Sequence, residues 1–322
     1  NAVADAGPDI ILCPNIPGQI GVPGSSGYKY RWTSCNRIGN PGLPASPANE
    51  NDIVTVRLDN QLNTPINITY CLAAIDSLGC PAEDSVVVTF AAEPKPDFII
   101  NNNKPEACEG EQASFLFAGA LIPGTEYIWD FSSTPNGPNN PQGPGPHFAS
   151  WPNKGSFLVS LQTVVEGCSS DVVIHAIEIK PIPQATFTIS AQACVGQSAI
   201  VSFIGRASEQ GIGIWDFDGG TVMQGDPNGL DPLAVAWSSP GMKIVTLYVD
   251  DRNCISPTFR DTIIVREIPT PDFDVLSPIC QSDSMRITYT GNASANGSYT
   301  WQFDGGGTSP YLNGQQGPYV VS

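Results

Sequence analysis

The chain has 322 residues, a net charge of −17 and only 14% charged residues. That length allows two or three ordinary domains. The acidity repels phosphate backbones and anionic membranes, which argues against nucleic-acid binding. No run approaches the roughly 18 apolar residues of a membrane helix, so no membrane insertion is expected in this segment. With no charged-then-apolar leader, Asn1 reads as an interior or processed start. A hydrophobic content of 41% suffices for globular cores, and 32 Gly and 30 Pro are scattered as turns between many short strands require.

Along the chain, residues 1–92 form a first module, in which Ala6-Gly-Pro-Asp9 leads to Cys13, Tyr30-Arg-Trp32 and Cys80. Beyond it, landmarks recur every 86 residues: Trp129, Trp215 and Trp301; Trp151 and Trp237; Cys108, Cys194 and Cys280; Cys168 and Cys254. A fixed period of this length signals tandem copies of one small domain. The expected domains are a divergent copy over 1–92, copies over 93–181 and 182–267, and an incomplete copy over 268–322. Transposing the period past Ser322 places a Trp at 323 and a Cys near 340.

One repeat, 182–267, shows the strand pattern. Ala185–Ser190, Ala199–Phe203, Gly211–Phe217, Leu233–Trp237, Lys243–Val249 and Asp261–Val265 are short apolar or alternating segments. Turn residues such as Asp218-Gly-Gly220 and Ser239-Pro-Gly241 separate them. About seven strands with no helical period predict an antiparallel β-sandwich. Trp215 is expected in its core. The junctions Pro94-Lys-Pro96, Pro181-Ile-Pro183 and Pro269-Thr-Pro271 are short and proline-bearing, which predicts semi-rigid, extended linkers and beads in a stiff rod.

The nine cysteines lack any CxxC pair, and only two His accompany them, which argues against zinc. Cys108 and Cys168 are 60 apart, as are Cys194 and Cys254, while Cys13 and Cys80 are 67 apart. Reading the strands as up-and-down puts each pair at one end of its sandwich, so one disulfide per domain is expected. Cys35 and Cys71, unique to the first copy, fall on neighbouring strands and form a candidate extra staple, although four cysteines allow three connectivities. Disulfides place the chain outside the cytosol, secreted or at a cell surface.

These residues resemble the PKD (polycystic-kidney-disease) domain, an immunoglobulin-like sandwich. Trp215-Asp-Phe-Asp-Gly-Gly220 and Trp301-Gln-Phe-Asp-Gly-Gly306 are similar to its third strand, and Trp129-Asp-Phe131 to the opening of that strand. Pro240-Gly-Met-Lys-Ile-Val-Thr-Leu247 and Lys154-Gly-Ser-Phe-Leu-Val-Ser-Leu161 are similar to a later one. The resemblance covers 94–322. Residues 1–92 resemble a sister module of secreted Bacteroidetes proteins. It implies tandem immunoglobulin-like antiparallel β-sandwiches serving as spacers, adhesin stalks or parts of secreted enzymes.

Candidate chemistry is sparse. Asp216 and Asp218 flank Phe217 and could bind Ca²⁺ with loop carbonyls; the competing reading is turn capping. Gln302 and Ser132 replace these carboxylates in other copies, against a shared ion site. No other cofactor is expected. His147 and His175 lack a nucleophile partner, and no G-x-S-x-G, P-loop or H-E-x-x-H occurs, so no enzymatic activity is expected. Trp151 and Trp237 read as core or inter-domain packing rather than glycan contacts. Ser77, Ser85, Thr262 and Ser284 each follow Asp and precede an apolar residue, similar to Bacteroidetes O-glycosylation acceptors; the competing reading is ordinary strand starts. The expected function is a structural segment of an adhesin or extracellular filament. Its partners would be neighbouring copies of the same protein, or surface glycans and proteins. The alternatives are a glycan- or protein-binding array, or accessory domains of a secreted hydrolase.

Overall fold

A computed structural model describes residues 3–131, 137, 141–276, 280, 284–304, 308–309 and 314–321. The chain divides into two compact units, 1–182 and 183–322.

The first unit holds two sandwiches. In the first, a sheet runs Ile10–Leu12, Pro81–Phe90, Ile66–Ile75, Lys29–Ser34, and faces the pair Gly18–Ile20 and Val54–Val56. Strand Ile66–Ile75 shows why it forms. Ile68, Tyr70, Leu72 and Ala74 point into the core, while Asn67, Thr69 and Cys71 face outward. This is the two-residue period of a half-buried strand. In the second sandwich, Glu126–Asp130, Gly155–Val165, Val173–Lys180 and Glu106–Cys108 face the sheet His147–Ala149, Ala113–Phe117, Phe98–Ile100.

The second unit begins with a sandwich of the same plan. Gln192–Cys194, Phe259–Arg266, Gly241–Asp251 and Ile212–Asp216 face Phe187–Ile189, Ser198–Phe203, Leu233–Ala236 and Thr221–Gln224. Beyond it lies one further sheet, in the order Phe273–Val275, Met285–Tyr289, Tyr319–Val321, Thr308–Ser309.

Each sandwich is antiparallel except at one edge. Ile10–Leu12 runs parallel to Pro81–Phe90, Glu106–Cys108 to Val173–Lys180, and Gln192–Cys194 to Phe259–Arg266. These three-residue strands are too short to alternate visibly in sequence. They decide where the cysteines lie.

Trp151 and Trp237, read from the sequence as packing residues, lie at the centres of their cores, while Trp215, also expected there, lies nearer the edge. Trp32, Trp151 and Trp237 are fully buried. Trp215 is only half-buried; it stacks on Phe217 at 5.5 Å and donates its Nε1–H to the Gly229 carbonyl at 3.2 Å. Trp237 reaches deeper and donates to the Phe217 carbonyl at 2.8 Å.

Candidate functional site at the junction of the first two sandwiches

The parallel edge strand fixes one cysteine at the trailing pole of each sandwich. Leu12 pairs with Phe90, so Cys13 follows at the end of its domain. Cys108 lies beside Lys180, and Cys194 beside Arg266, likewise at the ends of theirs. The other cysteine lies at the leading pole. Glu166 and Gly167, both at positive φ, make a tight hairpin turn, and Cys168 comes directly after it, opposite Val165. Arg252 and Asn253 do the same before Cys254, and the Asp76–Cys80 turn carries Cys80.

The expected pairs Cys13–Cys80, Cys108–Cys168 and Cys194–Cys254 therefore need correction. In the second sandwich Ile179, next to the Cys108 level, sits opposite Gly155, whereas Cys168 sits opposite Val165. Ten strand steps separate those levels, about 33 Å at ~3.3 Å per residue. A disulfide tolerates a Cα separation of at most about 7 Å. Instead, Cys13 is bonded to Cys168, 155 residues away, with a Cα–Cα distance of 5.4 Å. This bond joins the trailing pole of the first sandwich to the leading pole of the second. Cys108 and Cys254 are also disulfide-bonded. Cys80, which is exposed, and Cys194 carry free thiols. Cys35 is bonded to Cys71 across the paired strands Lys29–Ser34 and Ile66–Ile75.

Apolar and polar groups support the clasp. Ala92, Ile122 and Val165 form a small buried cluster between the end of the first sandwich and the leading turns of the second. Asn60 is fully buried, with its amide nitrogen at 3.0, 3.0 and 2.9 Å from the carbonyls of Thr64, Phe90 and Ala91. It anchors the chain just before the junction, because each buried carbonyl left unpartnered costs about 1–3 kcal/mol.

The leading pole of the third sandwich is polar where that of the second is apolar. Asp251 occupies the repeat position of Val165, and Ser208 that of Ile122. Burial alone would raise the Asp251 carboxyl. The Ser208 hydroxyl at 2.6 Å and N–H at 2.7 Å, with Arg252 alongside, bring it below the ordinary 3.8. A carboxyl lowered in the folded state stabilises fully at neutral pH and loses that stabilisation as pH falls below about 4. Urea melts of the second unit should therefore weaken between pH 5 and 3, and Asp251→Asn should flatten that slope. An unchanged slope would show that Asp251 is not the titrating group.

Asp216 and Asp218 serve the turn. Asp216 Oδ1 accepts the Asp218 N–H at 3.0 Å, and Asp218 Oδ2 accepts the Ile244 N–H at 3.1 Å. Asp218 itself sits at φ +49°, a conformation that Asp and Asn tolerate best among non-glycine residues. Among the described residues, no group of three or more His, Cys, Asp or Glu is placed to hold a metal. Asp218→Ala should cost about 1–2 kcal/mol, from a lost acceptor and a strained backbone. Asp218→Asn should cost far less, with the same melting midpoint in calcium and in chelator. A calcium-dependent midpoint would favour the ion-site reading over turn capping.

Ser77, Ser85, Thr262 and Ser284 are all exposed, so their hydroxyls are accessible. His147 lies 3.1 Å from the Gly143 carbonyl and packs edge-on to Trp129, and His175 stacks on Phe98. Neither faces a nucleophile among these contacts. The Trp301 side of the last copy is described, but Ser132, Gly305 and Gly306 lie outside the described residues.

Two facing sheets in each complete domain, in serial copies along one chain, define the class. The chain is a tandem series of immunoglobulin-like β-sandwiches. No family model and no curated protein matches it. Among solved structures, a three-domain titin segment (I67–I69, an E-to-A variant) is similar at 13% identity and a TM-score of 0.45, over 81% of this chain and 96% of that one. The N-terminal eight immunoglobulin domains of the Down syndrome cell adhesion molecule are similar at 12% identity and the same TM-score, over 81% of this chain and 36% of that one. The extracellular cadherin domains 3–6 of protocadherin gamma B2 are similar at 11% identity and a TM-score of 0.32, over 98% of this chain and 89% of that one.

Proposed function

We propose that this chain is a structural spacer segment of an extracellular stalk, adhesin or surface filament, with PKD-type domains as its beads. The observation that carries this reading is the Cys13–Cys168 bond. A disulfide inside a domain only stabilises that domain. One that spans a junction holds two domains in register, which is what a spacer requires and a catalytic domain does not. Disulfides also persist outside the cytosol, which supports a secreted or surface location. No helix among the described residues is long and apolar enough to cross a membrane. Neighbouring copies of the same protein, or surface glycans and proteins, are the partners this role implies.

Non-reducing peptide mapping tests the reading directly. The Cys13 and Cys168 peptides should co-elute as one species and separate on reduction. Closing a loop of 155 residues stabilises by at most roughly 5 kcal/mol in the chain-entropy picture, so reduction should lower the midpoint of the first unit clearly. Recovery of Cys13 with Cys80 would remove the junction clasp and, with it, the support for a spacer.

A further inference from the structure

The side of the second sandwich carries a slot at a place that an aromatic ring fills in the third. Phe98 packs on Trp129 at 5.2 Å, as Phe187 packs on Trp215 at 5.1 Å, so the two Phe are equivalent. Cys108 follows Phe98 by ten residues, whereas Cys194 follows Phe187 by seven. The longer segment makes room for the turn Asn101-Asn-Asn103, all three at positive φ, which the Lys104 N–H closes onto the Ile100 carbonyl at 3.0 Å. In the third sandwich Phe259 packs edge-on against Phe187 at 5.2 Å. The repeat puts the smaller Val173 at that position, and His175 stacks on Phe98 instead, at 4.4 Å. A gap of about 510 Å³ remains, lined by Asp97, Phe98, Ile100, Pro105, Ile174 and His175. Two strand edges bound it. Phe98–Ile100 is the outer strand of its sheet, and Glu106–Cys108 covers Val173–Lys180 only from Glu178 onward. The Asp97 side chain is 61% exposed.

The first sandwich carries a knob of matching chemistry. Ile38 is the most exposed large apolar side chain among the described residues, and the exposed Arg37 stands beside it. The turn that presents them is fixed on both sides. Cys35 is bonded to Cys71, the Thr69 N–H donates to Asn36 Oδ1 at 3.0 Å, and the Ser34 N–H donates to Asn40 Oδ1 at 2.8 Å. Gly39, at φ +87°, turns the chain at the tip. We propose that the slot receives this turn from a second copy of the chain, with Ile38 in the gap and Arg37 against Asp97. Charge complementarity selects that occupant. The chain has 14 Lys and Arg against 31 Asp and Glu, yet one of its few cations flanks its most exposed apolar side chain. The fixed turn loses little freedom on docking. Knob and slot are different patches, so the contact is heterologous and can pass from copy to copy. One turn buries well under the ~1,000 Å² of a standing interface, so the contact is weak and concentration-dependent. The proposal deepens the surface-filament reading and rests on it for its setting, but the Cys13–Cys168 mapping can succeed or fail independently of it.

Sedimentation of the full chain, with its thiols alkylated to prevent linkage through sulfur, tests the proposal. Reversible self-association should grow with concentration. Ile38→Asp should weaken it roughly tenfold or more, as loss of a central anchor does. Ile38 and Arg37 are exposed, so their replacement leaves the fold intact. Arg37→Glu and Asp97→Lys should each weaken association alone. An equimolar mixture of those two variants should restore it, because each variant's turn then meets the other's slot with opposite charge. A merely structural role for either residue would not produce that rescue. Irradiation of a chain carrying Ile38→p-benzoylphenylalanine, mixed with isotope-labelled copies, should crosslink position 38 to residues 97–105 or 174–176 of the other copy. A monomer at every concentration would overturn the proposal. So would association indifferent to Ile38→Asp, a mixture that fails to restore it, or crosslinks that fall elsewhere.

Discussion

Pulled from its two ends with the disulfides intact, the protein should unfold to a far shorter chain than its sequence allows, and a reductant should release the difference. Tension entering near Asn1 reaches Cys13 and passes through the sulfurs to Cys168, so the backbone between them carries none. The separation of 155 residues is hidden from the force. At about 3.3–3.6 Å per extended residue, the hidden length is roughly 510–560 Å. Single-molecule force spectroscopy with and without a thiol reductant should therefore show final contour lengths that differ by at least this amount, since the bonds at Cys108 and Cys254 can only hide more. One disulfide inside each domain makes a different prediction. It would hide separate segments of 67, 60 and 60 residues, each released domain by domain. Three smaller increments, or no dependence on reductant, would refute the junction clasp. The clasp thus assigns most of the first sandwich and much of the second to a reserve that stays slack while the bond holds.

The sequence carried the repeat, the strand composition and the presence of disulfides because each rests on local or periodic signals. Strand Gly241–Asp251 is legible as an alternation ending at an Asp-Asp-Arg-Asn turn, and the structure extends it by only a few residues. The disulfide pattern was not legible, and one short element explains why. Gln192–Cys194, like Glu106–Cys108 and Ile10–Leu12, has three residues and no alternation to read. Its parallel pairing with the last strand of its domain is a long-range fact that no local propensity encodes. Without it, an up-and-down order places both cysteines of a domain at one end. With it, they lie a strand length apart, and the equal 60-residue spacing becomes a measure of the domain's length rather than a sign of pairing.

The role of the paired tryptophans gives the largest expected loss of stability. Trp237 is 1% exposed, and its indole N–H is committed to the Phe217 carbonyl in the same core as Val235, Leu247 and Ile263. Trp237→Ala should cost about 3–5 kcal/mol, as large-to-small core replacements of aromatics do. That is a large part of the 5–15 kcal/mol that holds an ordinary domain. Trp237→Phe fills much of the volume but removes one of the two donors to the Phe217 carbonyl, which keeps the Gly220 N–H, so about 0.5–1.5 kcal/mol should be lost. Trp215→Ala should cost less than Trp237→Ala, since that indole is half-buried and hydrogen-bonds at the surface of the core. Urea unfolding followed by hydrogen exchange should rank the variants in this order, with the loss confined to the second unit. If Trp237 instead served to grip a glycan, Trp237→Ala would leave the unfolding midpoint in place and abolish carbohydrate retention. Burial at 1% leaves no ring face for a sugar to stack on, so the order of stabilities, not of affinities, is the one the packing dictates.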